Sequence, residues 1–205
     1  MSVFAVVPVK ELRGAKSRLG PVLDPVGRAG LTLHMLRRVA PALRGAGVRR
    51  VLVVSPDPAV LEEARLLGAE GLRQEGSGLN PALEEGRRRA LAEGAGALLV
   101  LPADLPLIEP ADVAALLEVA GEEPCAVISP DAARSGTNAL LLRPPGALPF
   151  SFGPGSFGVH LQAALRRGVR VRVCERPNVA FDLDSPEDLA RLEASGGVQY
   201  RPRRA

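Results

Sequence analysis

Ala97-Leu98-Leu99-Val100-Leu101-Pro102-Ala103-Asp104 runs from an unbroken apolar stretch straight into a carboxylate. A run that is apolar on both faces belongs to a sheet covered on both sides. In open α/β sheets, ligands bind beyond the carboxyl ends of the strands, which is where this reading places Asp104. A second segment, Val179-Ala180-Phe181-Asp182-Leu183-Asp184, reads as an extended strand end carrying two more acids. Side chains two apart in an extended chain share a face, so Asp182 and Asp184 point together while Phe181 and Leu183 turn to the core. Like charges on one face repel unless a cation or solvent intervenes, and carboxylate oxygens suit a hard divalent ion.

Working outward, Val3 to Val9 forms another apolar strand. It leads into Lys10-Glu11-Leu12-Arg13-Gly14-Ala15-Lys16-Ser17-Arg18-Leu19. This is not a Walker loop, which requires more glycines and a terminal Lys-Ser or Lys-Thr. Side-chain cations must therefore replace much of a backbone phosphate cradle. Lys10, Lys16 and Arg18 are the candidate catalytic cations, with Arg13 beside them as a further triphosphate contact. Acids for Mg²⁺ on one side and cations for phosphates on the other point to an enzyme that cleaves a nucleoside triphosphate.

Strand-like runs alternate with amphipathic patterns along the chain. The expected fold is therefore α/β, a mostly parallel mixed sheet with helices on both faces. Asp24-Pro25 and Asn80-Pro81 read as helix starts, each a cap followed by proline. Ser185 and Asp188 form an approximate capping box for the last helix. Cys125–Ser129 and Asn138–Leu142 are read as two strands joined by a polar turn. Residues 143–155 form a Pro-, Gly- and Phe-rich loop, and a helix from Ser156 leads to a strand over Val169–Cys174. Asp112 is expected only to complement a helix dipole. His34 and His160 are read as packing or surface residues within helices.

Two further loops carry small polar groups. Gly78-Leu79-Asn80 lets the backbone approach a planar base, and Asn80 also suits a helix cap. Gly153-Pro154-Gly155-Ser156 feeds a helix whose free N–H groups suit an anion. Gly136-Thr137-Asn138 is another such stretch, and together with the Ser156 hydroxyl it suits a compact phosphorylated acid.

The 205 residues fit one domain, expected over 1–195, with a basic tail at 196–205 read as disordered. A 46% hydrophobic content supplies a core without disulfides or structural metal. Cys125 and Cys174 lie in apolar segments and are read as buried thiols. The net charge of +3 and pI near 9.4 favour anionic partners. At 3% aromatics there is no stacking platform for single-stranded nucleic acid. No signal sequence or bilayer-length apolar run is evident, so a cytoplasmic protein that binds no membrane is expected. Oligomeric state is left open, a homodimer included.

Taken together, Val7-Pro8-Val9-Lys10, Ala15-Lys16-Ser17-Arg18-Leu19, Gly78-Leu79-Asn80, Pro102-Ala103-Asp104-Leu105-Pro106-Leu107, Gly136-Thr137-Asn138, Phe152-Gly153-Pro154-Gly155-Ser156-Phe157 and Phe181-Asp182-Leu183-Asp184 resemble the 2-phospho-L-lactate or phosphoenolpyruvate guanylyltransferases of coenzyme F-420 biosynthesis. The resemblance implies a single Rossmann-like, GT-A-like nucleotidyltransferase domain. It also implies a reaction joining GTP to a three-carbon phospho-acid with release of pyrophosphate. Asp104, Asp182 and Asp184 are then the Mg²⁺ ligands. Thr137, Gly153 and Ser156 contact the acceptor, with phosphoenolpyruvate favoured and 2-phospho-L-lactate next. The rivals are a sister enzyme using a cofactor or sugar phosphate, a non-catalytic nucleotide-binding module, and a glycosyltransferase with an Asp-x-Asp motif.

Overall fold

The computed structural model describes residues 2–121 and 123–196. Strand β1 (Val3–Pro8) leads through two 3-10 turns (Leu12–Gly14 and Ser17–Leu19) to helix α1 (Pro25–Gly45). There follow β2 (Arg50–Ser55), α2 (Pro58–Leu66), β3 (Glu70–Arg73), α3 (Leu79–Ala92), β4 (Ala97–Val100) and α4 (Pro110–Ala120). The chain continues through β5 (Cys125–Pro130), β6 (Thr137–Arg143), α5 (Ser156–Arg167), β7 (Val171–Val173), α6 (Pro177–Ala180) and α7 (Pro186–Ala194).

The seven strands form one sheet in the order β3-β2-β1-β4-β6-β5-β7. Only β6 runs against the others, pairing antiparallel with both β4 and β5. The chain builds outward from β1 through β2 to β3, then returns to place β4 on the other side of β1. That reversal opens a crevice at the carboxyl ends of β1 and β4. Because β6 is inverted, its amino end, Thr137, comes to the same edge.

Strand alternation divides the core into two layers. Ala5 and Val7 of β1 pack with Leu36, Val39 and Leu43 of α1, Val60 of α2 and Leu116 of α4. Phe4 and Val6 face the opposite layer, with Leu83 of α3 and Ala164 of α5. A third cluster joins Leu19 and Leu23 of the basic loop, Leu31 and Met35 of α1, and Leu183, Leu189 and Leu192. It fixes the loop carrying Lys16 beside the segment carrying Asp184.

Local signals account for most boundaries. Asp24 accepts from Gly27 N at 2.6 Å ahead of Pro25. Ser185 and Asp188 close their capping box at α7. Three expectations are revised. Residues 179–184 are not a strand: α6 ends at Ala180, and the chain beyond it pairs with no sheet neighbour. Asn80 is not a cap, because α3 starts two residues earlier than expected, at Leu79 with Gly78 at its N-cap. Strand β3 was not expected. It is an edge strand, Glu-Gly-Leu-Arg, half-buried and without apolar alternation.

Cys125 and Cys174 are buried free thiols. Among the described residues no helix is long and apolar enough to cross a membrane. Apart from Gly196, the basic tail lies outside the described residues.

Candidate active site

At the β1/β4 reversal lies a cavity of about 850 Å³. It collects Lys10, Lys16, Arg18, Gly78, Leu79, Asp104, Thr137, Gly153, Ser156, Asp182 and Asp184 from six parts of the chain. The three acids therefore meet in space, facing the basic loop. Arg13 is exposed and lies outside this lining. So does Asn80, whose amide faces Phe152 instead.

The acids converge on a cation that the protein itself supplies. Lys16 Nζ lies 3.0 Å from Asp104 Oδ2 and 2.7 Å from Asp184 Oδ1. Its side chain is 10% exposed, and its backbone sits in the left-handed region at φ +50°. Non-glycine residues rarely adopt that conformation, and it persists where surrounding structure enforces it. Here Leu12 N donates to Asp57 Oδ2, and Leu19 anchors the next turn in the core.

Charge balance across the trio is uneven. Burial alone would lower the Lys16 ammonium, but Asp104 and Asp184 outweigh it and raise its pKa above the ordinary lysine value. Burial likewise opposes ionisation of Asp184, yet Lys16, Arg18 and Lys10 hold its pKa below the usual carboxylate range. Asp182 has no ammonium. Burial and the nearby Asp104 and Asp184 charges push it upward, against a hydrogen bond from Asn138. Uncompensated negative charge thus remains at Asp182, and additional positive charge in the cavity would relieve it. Among the described residues, no three His, Cys, Asp or Glu side chains stand together as a ready metal-binding group. Lys16 occupies the space between two of the acids.

The acidic segment is positioned without strand pairing. Leu183 N donates to Asp104 O at 3.0 Å, tying it to the end of β4. Asn138 Nδ2 donates to Val179 O at 2.9 Å and to Asp182 Oδ1 at 3.0 Å. Asp112, expected only to complement a dipole, is buried and accepts from Arg176 Nε and Asn178 Nδ2 at the start of α6. Sequence reasoning missed both Asn138 and Asp112 because their partners lie 41 to 66 residues away. A stronger signal was also available: Lys10 and Lys16 are the only lysines in a chain with 26 Lys and Arg.

On the opposite wall, Asp131 accepts from Ser135 N and Gly136 N, a tight turn that presents Thr137. A side chain at Gly136 would meet Asp131 Oδ2 at 2.8 Å and displace the carboxylate that holds the turn. Ser156 Oγ accepts from Thr137 N at 3.0 Å. The expected role of the first α5 amides is revised: Ser156 N donates to Gly153 O and Phe157 N to Ser135 O. Those two amides are therefore engaged within the protein, while Thr137 and Ser156 themselves line the cavity. Asn80 holds Phe152 through both its backbone groups, at 2.8 and 3.0 Å. Gly78, at φ +96°, lets α3 open onto the cavity without a side-chain cap.

This sheet, with cations and acids across its strand reversal, has the fold of the nucleotidyltransferases. A solved nucleotidyl transferase from Methanothermobacter thermautotrophicus shares the fold, with a TM-score of 0.67 at 21% identity, covering 95% of this chain and 97% of that one. Sequence similarity is narrower. A phosphoenolpyruvate guanylyltransferase from Rubrobacter xylanophilus is 95% identical over the full length of both chains. A 2-phospho-L-lactate guanylyltransferase from M. thermautotrophicus is 40% identical over 96% of this chain and 86% of its own. Residues 3–201 match the family described as Guanylyl transferase CofC like, and the chain belongs to that family.

Proposed function

We propose that this protein transfers the guanylyl group of GTP to phosphoenolpyruvate and releases pyrophosphate, a step in coenzyme F-420 assembly. The observation that carries the reading is the shared cavity: Lys16 bridges Asp104 and Asp184 on one wall, and Thr137, Gly153 and Ser156 form the other. The choice of base and acceptor rests on the family and on the 95%-identical relative.

In this reading an oxygen of the acceptor phosphate attacks the α-phosphorus of GTP. A P–O–P bond forms, the bond to the bridging oxygen breaks, and the electron pair leaves with pyrophosphate. A phosphate monoester is ionised near neutral pH, with a second pKa of about 6, so the site needs no general base. Its task is positioning and charge stabilisation. Lys10 and Arg18 flank the triphosphate path, and Lys16 contributes a third positive charge. Gly78 and Leu79 bring the α3 backbone to the base, while Thr137 and Ser156 offer hydroxyls to the acceptor.

The donor set fits Mg²⁺, since it is all oxygen and carries charge left uncompensated at Asp182. Asp104, Asp182 and Asp184 would hold the ion, which would neutralise phosphate oxygens when bound. Lys16 would then turn from the acids toward the phosphates.

The test is incubation with GTP and MgCl₂ plus phosphoenolpyruvate, 2-phospho-L-lactate or 3-phosphoglycerate, reading product mass and pyrophosphate. A guanylyl adduct forming fastest with phosphoenolpyruvate is expected. Faster turnover with another nucleotide or acceptor would replace the substrate assignment, and GTP binding without product from any acceptor would overturn the activity.

A further inference from the structure

His160 is fully buried in α5, one layer behind the cavity wall, and does not line the cavity. Both ring nitrogens have partners. Ser151 N lies 3.2 Å from Nε2, and Thr137 Oγ1 lies 3.0 Å from Nδ1. A backbone N–H can only donate, so Nε2 must be the accepting, unprotonated nitrogen. Burial lowers the His160 pKa to about 4, so the ring is neutral near pH 7 and carries its one proton on Nδ1. Nδ1–H therefore donates to Thr137 Oγ1.

The polarity of the cavity wall follows. With one Thr137 lone pair committed to Nδ1–H, its hydroxyl proton is available to the cavity that Thr137 lines. Ser156 also lines the cavity, and because its Oγ accepts from Thr137 N its own O–H is free to donate. Two neighbouring hydroxyls are thus held as donors, an arrangement that suits an acceptor-only group such as a carboxylate or phosphate. The opposite tautomer would turn the Thr137 lone pairs toward that anion.

We propose that His160 is a positioning residue that fixes the Thr137 hydroxyl as a hydrogen-bond donor to the anionic group of the phospho-acid. The inference rests on the acceptor site assigned above and adds the residue that sets its polarity. His160 acts through Thr137 and touches no substrate.

Two replacements separate polarity from packing. His160→Phe keeps a ring against Phe152, whose centroid lies 5.0 Å from the imidazole, but has no N–H. His160→Asn loses the ring but can place an amide donor near the Nδ1 position. Steady-state kinetics with phosphoenolpyruvate and GTP, together with melting temperatures, are the readouts. The KM for phosphoenolpyruvate is expected to rise about tenfold or more in His160→Phe, the scale of one lost hydrogen bond to a charged group. The KM for GTP should stay within about twofold, and His160→Asn should keep the acceptor KM within about threefold despite lower stability. Thr137→Val should raise the same KM, and adding His160→Phe to it should change the value by less than about twofold.

An unchanged acceptor KM in His160→Phe, equal rises in both His160 variants, or independent multiplication with Thr137→Val would overturn the inference while leaving the activity in place. A wild-type protein that forms no guanylyl product would overturn the activity, and the inference with it. If His160→Phe does not fold, the His160→Asn and Thr137→Val measurements decide.

Discussion

Replacing Asp112 with alanine tests whether the acidic segment depends on an anchor remote from the cavity. The Asp112 side chain is 2% exposed. It accepts from Arg176 Nε at 3.0 Å, from Asn178 Nδ2 at 2.9 Å and from Glu109 N at 3.1 Å. A hydrogen bond to a charged group contributes about 1.5–3 kcal/mol net. Arg176 is 40% exposed and regains water when the acid is removed, so its bond belongs well below that range. Loss of the other two bonds dominates, and the expected cost is about 3 kcal/mol. For a domain of this size that lowers Tm by roughly 6–12 °C. Asp112→Asn gives little relief, because its amide NH₂ must face one of three donors.

The effect should be local before it is global. Helix α6 has four residues, too few to be stable without tertiary support, and the chain after it has no strand partner. Hydrogen exchange across 177–184 should therefore accelerate more than exchange in β1 or β4. Guanylyl transfer should fall at least about tenfold as Asp182 and Asp184 lose their register. A Tm within about 2 °C of wild type, or unchanged exchange over 177–184, would refute the claim that Asp112 holds these acids in place.

Asp182→Asn and Asp104→Asn should each lower turnover by about a hundredfold or more, the first with Tm nearly unchanged and the second with a lower Tm because buried Lys16 loses a partner; near-normal turnover would remove that carboxylate from the mechanism. His160 gives stability a pH dependence of fixed sign. Its pKa is about 4 in the fold against 6.5 unfolded, so only the unfolded chain takes up this proton as pH falls through that window. The contribution is intact above about pH 6.5 and is lost toward pH 4, to a total of roughly 3 kcal/mol. Urea midpoints near pH 5 and pH 7 should differ less in His160→Phe than in wild type. Gly86→Ala would put a methyl 2.7 and 2.8 Å from the two γ-carbons of buried Val6. It should cost about 1–3 kcal/mol by overpacking α3 against β1, and a neutral effect on thermal unfolding would contradict that close approach.

What the sequence disclosed depended on how local the cause was. Asp104 was legible because an apolar run ending in an acid specifies a strand and its carboxyl end. Asp24, Ser185 and Asp188 cap their helices through contacts within three residues, so the caps were legible too. The shared face of Asp182 and Asp184 was read correctly for an incomplete reason. Both acids line the one cavity, but their segment is held by Asp104 O and Asn138, not by a ladder. Where a side chain had two plausible employments, distance in sequence hid the answer. Asn80 suits a cap, but Phe152 engages it from 72 residues away. The first amides of α5 suit an anion, but a carbonyl of the 131–136 turn takes one of them. Arg13 belongs to the basic loop by sequence, yet the 3-10 turn ending at Gly14 leaves it outside the cavity.

The two lysines make the same point from composition. A chain this rich in arginine uses it as its default cation, and at Lys16 the geometry gives a reason for the exception. Arginine presents a planar fork that matches one carboxylate in two-point contact, whereas an ammonium is a compact charge with three freely oriented protons. Lys16 must satisfy two carboxylates at once, Asp104 after β4 and Asp184 beyond α6, in different directions and within 3.0 Å of one nitrogen. A guanidinium would need more room than a site 10% exposed provides, and it would commit its fork to one acid. A point charge can also leave: if phosphates and a divalent ion enter together, Lys16 needs only to rotate its terminal bonds to exchange carboxylate partners for phosphate ones. The left-handed backbone at Lys16 would then be the local strain that sets the ammonium between both sets of partners before any ligand arrives.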